Sequence, residues 1–153
     1  MEDVKRILVV SRMTQYCRKA VAYGVSLAQK YGAELSVIHV IHDPFMYGGW
    51  NLPIPSMQDE YRKTLREAKE RLDAIIASEK QRGMSIKEII KEGDPTREIL
   101  NTVKEEEIDL IILLAHEEGR LEHFLFGRSN EEICRTLPCS VFLVKKEPEA
   151  IAF

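Results

Sequence analysis

The sequence predicts an α/β fold: a single doubly wound, five-stranded parallel sheet with four helices. Three observations point there. Short apolar runs rich in β-branched residues recur along the chain, the pattern of strands buried on both faces. Between them lie segments whose apolar residues repeat with helical periodicity. Glycine, proline or a capping residue marks nearly every changeover. Strand, helix, strand in regular alternation makes parallel strands joined by right-handed crossovers.

The first strand is Arg6-Ile7-Leu8-Val9-Val10-Ser11. A helix follows, with Thr14 as N-cap, Gly32 as stop, and Cys17, Ala20, Gly24, Leu27, Ala28 and Tyr31 on its inner face. Leu35 to Ile41 is the second strand. Residues 43–56, DPFMYGGWNLPIPS, hold three prolines and two glycines, which exclude regular structure. Ser56 opens a long helix with Asp59 as its capping-box partner; Tyr61, Leu65, Ala68, Leu72, Ile75 and Ile76 form its apolar face, and Gly83 ends it. Ile86, Ile89 and Ile90 mark a third strand whose charges, Lys87, Glu88 and Lys91, suit a sheet edge. Gly93-Asp94-Pro95 starts the next helix, with Asp94 as cap, Pro95 in the first position and Ile99, Leu100 and Val103 facing inward. Asp109 to Leu114 is a fourth, interior strand. After a polar loop, 115–123, a short helix around 130–137 begins at the capping box Ser129-Asn130-Glu131-Glu132 and stops at Pro138. Ser140 to Val144 is the fifth strand. Residues 1–146 make one domain and 147–153 a charged tail.

Composition excludes several function classes. The 153 residues are 44% hydrophobic and 31% charged, a composition that folds around one core. With 22 basic against 25 acidic residues the net charge is −3, so no cationic field offers itself to nucleic acid or anionic membrane. No apolar run approaches the ~18 residues of a membrane span, and the N-terminus lacks a signal-peptide pattern. Three widely spaced cysteines, Cys17, Cys134 and Cys139, form neither a disulfide framework nor a zinc pattern and suit a reducing cytoplasm.

In such sheets ligands bind beyond the strand C-termini, where strand order reverses. That places the candidate crevice at Ser11–Thr14, Ile41–Asp43 and Leu114–Glu118.

From Ile7 to Lys145 the chain resembles the universal stress protein family. The likeness rests on Ile7-Leu8-Val9-Val10, on Ala28-Gln29-Lys30-Tyr31-Gly32-Ala33-Glu34-Leu35, and on His39-Val40. It continues in Glu92-Gly93-Asp94-Pro95 with Glu98-Ile99-Leu100, in Asp109-Leu110-Ile111-Ile112, and in Pro138-Cys139-Ser140-Val141. The ordered set identifies the family, not any single motif. The resemblance implies strand order 3-2-1-4-5 and, commonly, a homodimer. Many members bind ATP through G-x2-G-x9-G-[ST] after strand four, where glycines let the backbone approach phosphates at a helix N-terminus. Here that pattern falls on Leu114, Glu117, Gly127 and Arg128, and only Gly127 fits. The family's aspartate at the end of strand one falls on Arg12. Glu117 and Glu118 set two negative charges where phosphates would lie, each opposing binding by about 4 kcal/mol at ~4 Å and intermediate dielectric. The ATP motif is therefore degraded and no cofactor is expected. Ser129, one residue past the expected hydroxyl, could substitute for it.

Other signals carry two readings each. Arg12, His116 and Arg128 could bind a small phosphate or carboxylate, or could pair with Glu117 and Glu118 and close the cleft. Gly127, Ser129 and Glu132 form a phosphate cradle or an ordinary capped helix start. His42 and Asp43 could ligate a metal, but a third ligand is not evident and His39 lies inside a strand. His123 reads as a surface or packing residue, Cys17 and Cys139 as structural thiols, and Glu105-Glu106-Glu107 as a solvated helix end. Loop 43–56 holds Phe45, Met46, Tyr47, Trp50, Leu52 and Ile54 with one charge, so it is expected to pack as a lid on the sheet end, cover a ligand or meet a protein partner.

The expected function is a cytoplasmic, dimeric stress-response or regulatory protein rather than an efficient catalyst. The alternative is an adenine-nucleotide binder using Val10, Ser11, Val40, Gly127 and Ser129, with slow hydrolysis. A small hydrolase on the same type of sheet ranks last, because no catalytic base or metal set supports it. Strand five is the expected free edge, which places the dimer interface on Val141, Phe142, Leu143 and Val144.

Overall fold

The structure is a computed structural model and describes residues 3–11, 17–41, 55–115, 128–136 and 138–145. Arg12, Thr14, His42, Asp43, His116, Glu117, Glu118, His123, Gly127, the loop over 43–54 and the tail lie outside those residues. So do the side chains of Cys17, Tyr61, Leu65, Ala68, Ile75, Arg128 and Ser129.

Five strands form one parallel sheet in the order β3-β2-β1-β4-β5. They are β1 (Arg6–Ser11), β2 (Glu34–Ile41), β3 (Ile86–Glu92), β4 (Leu110–Ala115) and β5 (Ser140–Lys145). Four helices are described: α1 (Cys17–Tyr31), α2 (Pro55–Gln81), α3 (Pro95–Glu105) and α4 (Arg128–Thr136). Side chains alternate across the pleat, so each strand feeds two cores. Ile7, Val9, Leu35, Val37, Ile112 and Leu114 pack with Val21, Val25, Leu72 and Ile76 of α1 and α2. Leu8, Val10, Ile38, Val40, Ile111 and Leu113 pack with Ile99, Val103 and Ile133 of α3 and α4. A strand sandwiched in this way is apolar at nearly every position, with Ser36 and His39 of β2 as buried polar exceptions, which is why β1, β2 and β4 are legible as near-continuous runs.

The punctuation acts as expected at three points. Gly32 and Gly83 end their helices at φ +64° and +85°, a region costly for other residues. Asp94 caps α3, its carboxylate accepting from the Arg97 amide at 2.9 Å, with Pro95 in the first turn. Two starts differ from expectation. α2 begins at Pro55, so Ser56 lies within its first turn and not before it. α4 begins at Arg128, which puts Ser129 inside the helix and not at the cap. The inner face of α1 holds Ala20, Gly24 and Ala28 as expected and extends to Val21 and Val25, whereas Tyr31 is 53% exposed.

The two sheet edges differ in kind. β3 is dressed with ion pairs: Lys80–Glu88 at 2.6 Å, Lys87–Glu106 at 2.7 Å and Lys91–Glu105 at 3.4 Å. The acidic run after α3, expected to be merely solvated, thus clamps that edge, and Glu107 reaches Arg6 at 2.8 Å. β5 has the opposite character. Phe142 is 36% and Leu143 52% exposed, and Tyr23 of α1 lies beside Phe142 with ring centroids 5.5 Å apart. Of the other residues expected at the interface, Val144 is buried in the protomer's core and Val141 is half-buried against the α3–α4 side.

One long-range anchor fixes the sheet's lower rim. The Asp109 carboxylate accepts from the backbone amides of Lys5 at 2.9 Å and Arg6 at 2.8 Å, so the entry to β4 holds the entry to β1. Asp109→Ala removes both charge-assisted bonds. Because they are solvent-exposed, the expected loss is about 1.5 kcal/mol, read as a lower urea midpoint at unchanged slope.

Candidate functional site

The chain passes from β1 outward to β2 and β3, then returns to β4 on the other side of β1. Strand order therefore reverses between β1 and β4, and the crevice lies beyond their C-terminal ends. The backbone carbonyls there are held from within. Ile41 O accepts from the Gly93 amide at 3.0 Å, a contact made with Gly93 at φ +132°, where a side chain would be strained. Leu114 O accepts from the Asn130 side-chain amide at 3.0 Å, tying the first turn of α4 to the end of β4. Ser11 O lies 3.1 Å from His39 Nδ1. A carbonyl can only accept, so Nδ1 carries the proton and neutral His39 has a bare Nε2.

His39 sits beside Ser11 in the strand register and is 8% exposed. Burial lowers its pKa below the ordinary histidine value, opposed in part by the bond to Ser11. The folded state thus prefers neutral His39, while the unfolded chain protonates near pH 6.5. The stabilisation is complete above that pH and is lost as pH falls through the lowered folded value. His39→Gln should therefore flatten the fall in urea midpoint between pH 7 and pH 5; an unchanged slope would contradict this.

The residues expected at the site divide between the two sides of the sheet. Val10 and Val40 face α3 and α4, whereas Leu114 is 1% exposed in the core under α1 and α2. Ser11 is 3% exposed at the end of β1. The structure brings the strand ends of β1, β2 and β4 together and places the start of α4 against them. Sequence reasoning missed Asn130 as more than part of a capping box; an amide side chain in a first turn was the available signal. Burial raises the Cys139 thiol pKa, in keeping with an inert packing role. Among the described residues no cluster of three or more potential ligands could hold a metal ion, and no helix is long and apolar enough to cross a membrane.

Comparison with known proteins is consistent across sequence and fold. A universal stress protein of Methanocaldococcus jannaschii is 24% identical over 147 residues, covering 93% of this chain and 82% of that protein. The universal stress protein UspA from Lactobacillus plantarum superposes with a TM-score of 0.74 at 21% identity, covering 94% of this chain and 99% of the other. The universal stress protein from Archaeoglobus fulgidus in complex with dAMP superposes at 0.64 with 16% identity, covering 95% and 100%. The model of the Universal stress protein family matches residues 3–145. Strand order, the two-sided core and this match over nearly the whole length agree, and the chain belongs to the Universal stress protein family.

Proposed function

We propose that this chain is a homodimeric stress-response regulator of the cytoplasm whose crevice does not hold ATP in the family's usual manner. The observation that carries the reading is Leu114. Where the resemblance puts the first glycine of the phosphate loop, a large side chain is built into the core and its carbonyl is engaged by Asn130. Arg12, Glu117 and Arg128 depart from the same pattern and replace its aspartate, second glycine and hydroxyl. Arg12, His116 and Arg128 would then favour a single phosphate or carboxylate over a triphosphate, which Glu117 and Glu118 repel. Loop 43–56, rich in aromatics, would serve as lid or partner surface.

The proposed dimer rests on the contrast between the edges. The β3 edge carries ion pairs, whereas β5, last in the sheet, exposes Phe142 and Leu143 and pairs with no further strand among the described residues. Pairing two β5 edges about a twofold axis would cover that edge.

A second reading is adenine-nucleotide binding through Val10, Ser11, Val40, Gly127 and Ser129, with slow hydrolysis. It is favoured by the A. fulgidus structure, whose ligand, dAMP, carries one phosphate. A reversion variant separates the two. Leu114 should be kept, because emptying that core position would cost about 3–5 kcal/mol. Arg12→Asp, Glu117→Gly and Arg128→Ser together should gain only part of the ATP affinity by calorimetry, because Leu114 still fills the first glycine position. A folded variant with no gain would show that these positions are not what closes the crevice.

A further inference from the structure

A second recess lies at the opposite end of the sheet, under the C-terminus of α3. α3 has 11 residues, about 16 Å of helix, against the 7 residues and about 23 Å of β3. It therefore leaves the first residues of β1, β2 and β3 uncovered on its side of the sheet. The recess so formed has a volume of about 470 Å³, within the ordinary range for a small-molecule site.

Its lining follows from the register. Arg6 pairs with Glu34, Leu8 with Ser36, and Ser36 with Lys87, so Arg6, Glu34, Ser36 and Lys87 share the face that carries Leu8. Ser36 is 8% exposed, and its hydroxyl makes no hydrogen bond among the described residues. A buried hydroxyl at a recess wall needs a partner, and solvent or a ligand must supply it. Around it stand charges of both signs. Lys87 Nζ lies 2.7 Å from Glu106, and Arg6 lies 2.8 Å from Glu107 and 3.8 Å from Glu34. Met84 and Ile108 supply apolar wall.

We propose that this recess binds a small zwitterion of the free α-amino acid class. The named side chains set three carboxylates, Glu34, Glu106 and Glu107, against two cations, Arg6 and Lys87, so a simple anion meets net repulsion and a simple cation meets Lys87 and Arg6 at the wall. A ligand with both charges can exchange partners with the Lys87–Glu106 pair and leave no charge unpaired. Its carboxylate would face Lys87, its ammonium Glu106, the Ser36 hydroxyl would bond the carboxylate, and an aliphatic side chain would meet Met84 and Ile108. Competition with existing ion pairs makes the affinity weak, with Kd about 1 mM. The site is independent of the crevice at the other end of the sheet.

The test is ¹H–¹⁵N NMR titration of the full chain with L-leucine, with isocaproate and isoamylamine as single-charge controls. Leucine should shift the amides of residues 33–36 and 84–87 saturably, and both controls should shift them far less. Ser36→Ala should weaken leucine about 3- to 10-fold at unchanged melting temperature, since the hydroxyl has no hydrogen-bond partner to lose among the described residues. The double variant Lys87→Gln with Glu106→Gln, both at the surface, should abolish the shifts and gives a second measure should Ser36→Ala misfold. Absence of leucine shifts, equal shifts with either control, shifts confined to Ser11, Ile41 and Ala115, or full binding by a folded Ser36→Ala would each overturn the proposal.

Discussion

Gly24→Leu should destabilise the domain strongly. A Cβ placed at Gly24 would lie 2.6 Å from Val9 Cγ2 and 3.1 Å from Leu35 Cδ1, well inside van der Waals contact. Val9 is fully buried on the middle strand and Leu35 is 2% exposed, so neither can swing out toward water. α1 must lift off the sheet, and it takes Ala20, Val21, Val25 and Ala28 with it. Overpacking of this kind costs about 3 kcal/mol, a large share of the 5–15 kcal/mol that holds a typical domain. Gly24→Ala offsets part of its smaller clash with about 1 kcal/mol of helix propensity and should be milder. Urea denaturation of the two variants should rank them wild type, alanine, leucine; a leucine variant with the wild-type midpoint would mean that α1 is not packed this closely.

The second large effect is on assembly. Leu143→Glu places a carboxylate on the half-exposed β5 edge, facing its own copy across the proposed twofold axis. Phe142→Lys does the same on the α1 side and also removes the Tyr23 contact. Neither side chain is buried in the protomer, so the fold should survive both changes, unlike a change at Val144. Sedimentation velocity at micromolar concentration should give a dimer for the wild type and a monomer for either variant. A wild-type monomer, or a Leu143→Glu dimer, would sink the β5 interface.

The interior strands were legible because burial on both faces leaves no room for a polar position, as in Leu8-Val9-Val10 and Ile111 to Leu114. Helix ends were legible where one residue type solves one local problem, as at Gly32, Gly83 and Asp94. The face of α1 was harder to read, because Val21, Val25 and Tyr31 are all apolar and only the docked angle decides which turns outward. The contacts that set the site are long-range and leave no local pattern. His39 reaches Ser11 across 28 residues and Asn130 reaches Leu114 across 16, just as Asp109 reaches Lys5 across 104 at the opposite rim. Leu114 shows the difference most clearly. The resemblance to the family puts a phosphate-loop glycine at its position, but its place in the core under α1 and α2 was not legible.

That placement makes the crevice open to direct measurement. Protein stripped of carried-over nucleotide should be titrated calorimetrically with ATP and Mg²⁺, alongside melting curves in millimolar ATP. The expected result is a dissociation constant of about 1 mM or weaker and a correspondingly small rise in melting temperature. A well-fitted micromolar constant with a rise of several degrees would contradict it and would make the chain a nucleotide binder despite Leu114, Glu117 and Arg128.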